Sequence, residues 1–157
     1  MTDRAALVPT LRSVLARVEL RNPGAPEDIQ FALSAAARPL PEDYLAFLRA
    51  SDGAEGWIGK NYLQVAGARS AAETTMAFAQ WAPGLFFFAS DGAEGLFAFD
   101  LRDDGRRVAI THTDDLELEG LVYAAESFTT FLGFLEHTDW SNFWFAERSR
   151  RHRGSGT

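Results

Sequence analysis

Leu85-Phe86-Phe87-Phe88-Ala89, then Gly95-Leu96-Phe97-Ala98-Phe99-Asp100-Leu101, then Arg107-Val108-Ala109-Ile110-Thr111-His112 follow one another along the chain. The first run is continuously apolar, as a strand buried on both faces is. The second alternates, with Phe97, Phe99 and Leu101 on one face, and the third answers it with Val108 and Ile110 on one face. Between the last two, Arg102 to Arg106 holds Asp104-Gly105, a hairpin turn signal. Consecutive strands joined this tightly pair antiparallel.

Toward the N-terminus, Trp57-Ile58 and Tyr62 to Val65 read as short strands. Ser70 with Glu73 has the spacing of a capping box for a helix running to about Trp81, before Pro83-Gly84. Pro26-Glu27-Asp28 and Pro41-Glu42-Asp43 each open a helix, because proline suits the first turn and carboxylates suit the positive end of the helix dipole. Leu11, Val14, Leu15 and Val18 make an earlier amphipathic helix that starts near Leu7 or bends at Pro9 and ends before Asn22-Pro23-Gly24. Toward the C-terminus, Leu121 to Tyr123 is a short strand, and Ser127 caps a helix with the stripe Phe128, Phe131, Leu132 and Leu135. Trp140, Phe143 and Trp144, with Phe145 beside them and Asp139 as cap, are spaced like a further helix that closes the core or offers a contact. These elements predict an α+β fold: a mainly antiparallel or mixed central sheet of about five to six strands covered by helices.

Composition bounds the function. A chain of 157 residues fits one domain, expected over residues 1–147, with residues 148–157 as a flexible basic tail. There is no cysteine, which excludes disulfides, thiolate metal sites and a cysteine nucleophile. Charged residues interrupt the first twenty positions, so no signal peptide and no membrane span is expected, and the reading is cytoplasmic. The net charge is -7, yet Glu147 to Thr157 carries +3, which leaves -10 on residues 1–146. So acidic a body repels phosphate backbones and attracts basic partners, which argues against direct nucleic-acid binding.

Leu40-Pro41-Glu42-Asp43-Tyr44 with Phe47-Leu48, a glycine turn, the phenylalanine-rich strand pair ending Phe99-Asp100-Leu101, and Ser127-Phe128 with Phe131-Leu132 occur in a telling order. Their order and spacing resemble the SMI1/KNR4 family of the SUKH superfamily across about residues 25–136. Asp52 precedes Gly53 where relatives often carry asparagine, and both residues suit a turn there. The resemblance implies an α+β fold and, in bacteria, service as an immunity protein that binds a cognate toxin tightly. In fungi, relatives act as interaction hubs in cell-wall signalling. Abundant arginine and alanine with a single lysine, Lys60, favour a bacterial source.

Six acids, Asp103, Asp104, Asp114, Asp115, Glu117 and Glu119, gather in and near the hairpin and the loop after it, where a basic toxin surface is steered and held. They are the expected partner-binding residues; the same charges also solvate exposed loops. Ser51-Asp52-Gly53-Ala54-Glu55-Gly56 recurs as Ser90-Asp91-Gly92-Ala93-Glu94-Gly95. Two carboxylates within four residues can contact a cation or a basic partner, but the preferred reading of both copies is a tight turn entering a strand, with glycine at positive φ and aspartate bonding its local backbone. Neither copy, nor Asp100 to Gly105, carries the alternating oxygen ligands of an EF-hand, so no metal or other cofactor is expected. No Gly-x-Ser-x-Gly elbow is present. His112 on a strand face, His137 at a helix end and His152 in the tail have structural reasons of their own. The expectation is a non-catalytic protein, a monomer or weak homodimer, with a basic protein partner. An intracellular scaffold or regulatory adaptor without a toxin is the alternative, and a small hydrolase a remoter one.

Overall fold

The computed structural model describes the backbone of residues 9–155 and the side chains of residues 12–150. In chain order the elements are α1 (Pro9–Leu15), β1 (Glu19–Leu20), α2 (Pro26–Ala35), α3 (Glu42–Ala50), β2 (Ala54–Ile58), β3 (Asn61–Val65) and α4 (Ala68–Phe78). They continue with β4 (Leu85–Ser90), β5 (Gly95–Asp100), β6 (Val108–His112), β7 (Val122–Ala125), α5 (Phe128–His137) and α6 (Trp140–Ser155). The strands form one antiparallel sheet in the order β1-β2-β3-β4-β5-β6-β7, an α+β fold. The seventh strand beyond expectation is β1, whose two residues pair Glu19 with Glu55 and Leu20 with Ala54. A strand that short has no period to read.

The phenylalanine run is buried on both sides because the sheet carries two apolar clusters. On the inner face Phe86, Phe88, Phe97, Phe99, Val108 and Ile110 meet Tyr44 and Phe47 of α3 and Phe128, Phe131 and Leu132 of α5. Phe88 and Phe99 stack at 4.2 Å, and the Tyr44 ring packs against Phe86, Phe88, Phe99 and Phe128. On the outer face Leu85, Phe87, Leu96, Ala98 and Ala109 lie under Phe78, Ala82, Leu116 and Leu118. Each such side chain stabilises the fold by about 1.5 to 3 kcal/mol relative to exposure. Asp43 joins two helix starts: its carboxylate accepts from the Tyr44 N–H and from both the N–H and hydroxyl of Thr129, at 2.8 to 2.9 Å.

Ser127 and Thr130 make the capping box of α5, and Asp139 caps α6 through the N–H groups of Ser141 and Asn142. The box expected at Ser70 and Glu73 is not formed. Helix α4 starts two residues earlier, at Ala68, whose N–H donates to Asp52 Oδ1 at 2.8 Å from sixteen residues away. Its C-terminal half runs beside β4, where Thr75 Oγ1 accepts from the Phe87 N–H at 2.9 Å. Trp140 and Trp144 are buried in the inner cluster and Phe145 is exposed. Asn61 clasps this corner: its amide donates to the carbonyls of Leu135 and Thr138 and accepts from the Trp140 N–H. The segment expected as a basic tail continues α6 to Ser155, and Arg148 is ion-paired to Asp115 while its guanidinium lies 4.9 Å over the Trp144 ring.

Candidate functional site

Strand β6 separates the acids that the sequence groups together. Asp103 and Asp104 lie in the turn before it; Asp114, Asp115 and Glu117 follow its far end, about 17 Å away at the rise of an extended strand. Glu119 lies on the return of the loop, next to Leu118, whose carbonyl meets the Arg102 guanidinium at 3.5 Å. Five of the six are exposed; Asp115 is half-buried beneath Arg148.

The two ends differ in charge. At the β5–β6 turn, Asp100, Asp103 and Asp104 stand among Arg38, Arg102, Arg106 and Arg107. Arg38 pairs with Asp104 at 3.0 Å, and Arg102 embraces Asp100 with both carboxylate oxygens engaged at 2.9 Å. Burial alone would raise the Asp100 carboxyl. Hydrogen bonds from the Arg102 side chain, the Tyr123 hydroxyl and the Arg102 N–H, with the guanidinium charge, outweigh it and hold the carboxyl at about 2. Tyr123 is capped in turn by Arg107, 3.7 Å over its ring. This end is a structural ion network.

At the other end, the β4–β5 turn supplies Asp91 and Glu94 beside Asp114, Asp115 and Glu117; among the described residues the one arginine or lysine paired with these five acids is Arg148, on Asp115, and the His112 imidazole faces Glu94 at 3.2 Å. The second hexapeptide reads in the sequence as a turn; antiparallel pairing, in the register Gly95 to His112, brings its Glu94 to His112. Beside these acids a cleft of about 490 Å³ is lined by Phe78, Trp81, Thr113, Asp114, Leu116 and Glu117. Trp81 is 59% exposed at its rim. An apolar slot edged by uncompensated carboxylates suits a basic protein surface with an apolar anchor.

A larger, open cavity of about 810 Å³ lies between the N-terminal half of α4 and the outer face of β2, β3 and β4. Both hexapeptide copies contribute to it, through Asp52, Glu55 and Ser90. The registered row Glu55, Gln64, Ser90 crosses its floor. Glu55 accepts from the Tyr62 hydroxyl, from Gln64 at 3.1 Å and from Arg21 at 3.2 Å, and the first two bonds lower its pKa most. Trp57, 62% exposed, meets Tyr62 edge to face at 5.3 Å on the same side of the sheet. From the sequence, Asp52, Glu55 and Ser90 stand out only within the repeated hexapeptide, read as a turn, and Trp57, Tyr62 and Gln64 only as strand residues. The available signal was alternation: Glu55 and Trp57, with Tyr62 and Gln64, fall opposite the buried Ile58, Leu63 and Val65.

Among the described residues, no helix is long and apolar enough to cross a membrane. The model of the SMI1 / KNR4 family (SUKH-1) matches residues 23–133, from the chain before α2 into α5, so the chain belongs to that family. No curated protein matches it.

Proposed function

We propose that this SMI1/KNR4 family member is a non-catalytic cytoplasmic immunity protein, which neutralises a cognate bacterial toxin by docking on a basic surface of it. The observation that carries the reading is the acidic end of the sheet: Asp91, Glu94, Asp114 and Glu117 without a lysine or arginine partner among the described residues, beside the cleft under Trp81. Uncompensated carboxylates steer a basic partner into encounter, and the exposed indole supplies the area that becomes dry on contact. Asp103 and Asp104, whose surroundings are rich in arginine, and Asp115, paired with Arg148, contribute less to this docking than Asp114, Glu117 and Glu119.

Asp100 and Glu55 are not tuned as general acids. Hydrogen-bond donors hold both carboxyls ionised, the reverse of the raised pKa a general acid needs.

The test is co-purification with the product of the neighbouring gene, followed by titration at low and high salt. A tight complex that weakens with salt and abolishes toxicity is expected, and Asp114→Lys with Glu117→Lys should weaken it more than Asp103→Lys with Asp104→Lys. No complex and no rescue would overturn the immunity reading and leave a cellular adaptor in its place.

A further inference from the structure

Glu94, His112 and Asp114 come from the two sides of the β5–β6 pair, and their potential ligand atoms lie within 4.8 Å of one another. We infer that these three side chains bind a first-row divalent cation of the zinc type. This assignment goes beyond the docking reading and does not depend on it.

The imidazole distinguishes this cluster from an ordinary acidic surface. His112 closes β6 opposite Gly95, and the Thr113 N–H donates to the Glu94 carbonyl at 2.9 Å, so the backbones carrying the three ligands are fixed to one another. The ring of His112 stacks on Trp144 at 5.5 Å with 23° between planes, which sets its orientation, and Nε2 faces Glu94 Oε2 at 3.2 Å. Two ligands about 2.1 Å from a tetrahedral metal are about 3.4 Å apart, so the His112 and Glu94 atoms already stand at the required spacing. Asp114 needs a displacement of at most about 1.4 Å to meet that spacing, which rotation of an exposed carboxylate supplies.

Charge argues the same way. With a neutral imidazole the three groups carry two negative charges. Asp114 has no hydrogen bond or ion pair among the described residues, because Arg148 is engaged by its neighbour Asp115. A dication offsets that repulsion where no lysine or arginine among the described residues does. An imidazole with two carboxylates and no thiolate suits zinc, manganese or nickel better than copper(I). Three protein ligands leave a position open to water. The spacing was invisible in the sequence because Glu94, in the turn before β5, meets His112 at the end of β6 only through strand pairing, whereas EF-hand patterns run along one loop.

The experiment is calorimetric titration of zinc chloride into the chelator-treated full chain, repeated with Asp114→Asn, His112→Gln and, as a control, His137→Gln. Nickel quenching of tryptophan fluorescence gives a second readout through Trp144. One saturable site per chain is expected, weakened at least about tenfold in Asp114→Asn and His112→Gln and unchanged in His137→Gln. Asp114 is exposed, so its variant keeps the fold and isolates the ligand effect. Absence of saturable binding, equal affinity in Asp114→Asn, or a loss that follows His137 instead would overturn the assignment.

Discussion

Ser51 to Gly56 and Ser90 to Gly95 are the same six residues, and the protein uses them differently. In the first copy only Ser51 to Gly53 turn; Ala54, Glu55 and Gly56 are already strand β2. In the second, Ser90 ends β4, Gly95 begins β5, and the residues between them are the turn. Asp91 bonds the N–H groups of Ala93 and Gly95, as expected of a turn aspartate, whereas Asp52 reaches across to start α4. Ser51 is buried and accepts from the Arg21 N–H, whereas Ser90 meets Gly92 and Gln64 at longer range. Identical local chemistry yields different bonds because partners distant in sequence decide which ones form.

The largest test of that contrast is at the glycines. Gly53 has φ +99°, and a Cβ there would stand 2.6 Å from the Val65 carbonyl oxygen, on backbone that cannot yield. Gly92 has φ +82°, and its Cβ would meet the Tyr62 ring at 3.2 Å. In denaturant unfolding, Gly53→Ala should cost about 3 kcal/mol or more. Gly92→Ala should cost about 1 kcal/mol.

Next come the serines. Ser51→Ala removes the buried hydroxyl that accepts from the Arg21 N–H and donates to the Gly53 carbonyl and should cost about 2 kcal/mol, against about 0.5 kcal/mol for Ser90→Ala. Smaller again are the aspartates: Asp52→Ala removes a helix cap worth about 1 kcal/mol, and Asp91→Ala about 0.5 kcal/mol of turn bonding. Amide exchange should localise the Asp52→Ala effect to the first turn of α4. Equal costs within every pair would mean that the hexapeptide, not its surroundings, sets the roles.

A fourth test sharpens the contrast between the two ends of β6. Asp100 has a folded pKa below its unfolded value, so its contribution is fully present above about pH 4 and disappears as pH falls toward 2. Asp100→Asn should remove up to about 2 kcal/mol at pH 7 and flatten acid unfolding in that window. Asp114→Asn, at the end without such a network, should leave metal-free stability within about 0.5 kcal/mol.

Local signals carried most of the fold. The Pro-Glu-Asp openings of α2 and α3, the cap at Ser127 and the phenylalanine run are short-range patterns, and the structure forms each of them. What escaped was decided at long range. Nothing near Ser70 betrays that a carboxylate at position 52 caps α4, and two residues of β1 give no alternation. The acid loops were legible as charge, but their division between an arginine-rich end and an unpaired end depends on pairing register and on where Arg38 and Arg148 return. The same dependence hid the approach of Glu94 to His112.

Every strand of this sheet pairs with its neighbour in sequence, helices being interposed without reordering them. An insertion in a β–β connection therefore changes no strand's partner, and doubling a flexible loop costs only about 0.6 kcal/mol of closure entropy. The connections after β4 and β6 are thus replaceable parts on a constant frame. Grafting a different segment between His112 and Leu121 should retarget the molecule without redesigning its core, provided that Leu116 and Leu118, which cover the outer cluster, are kept or matched.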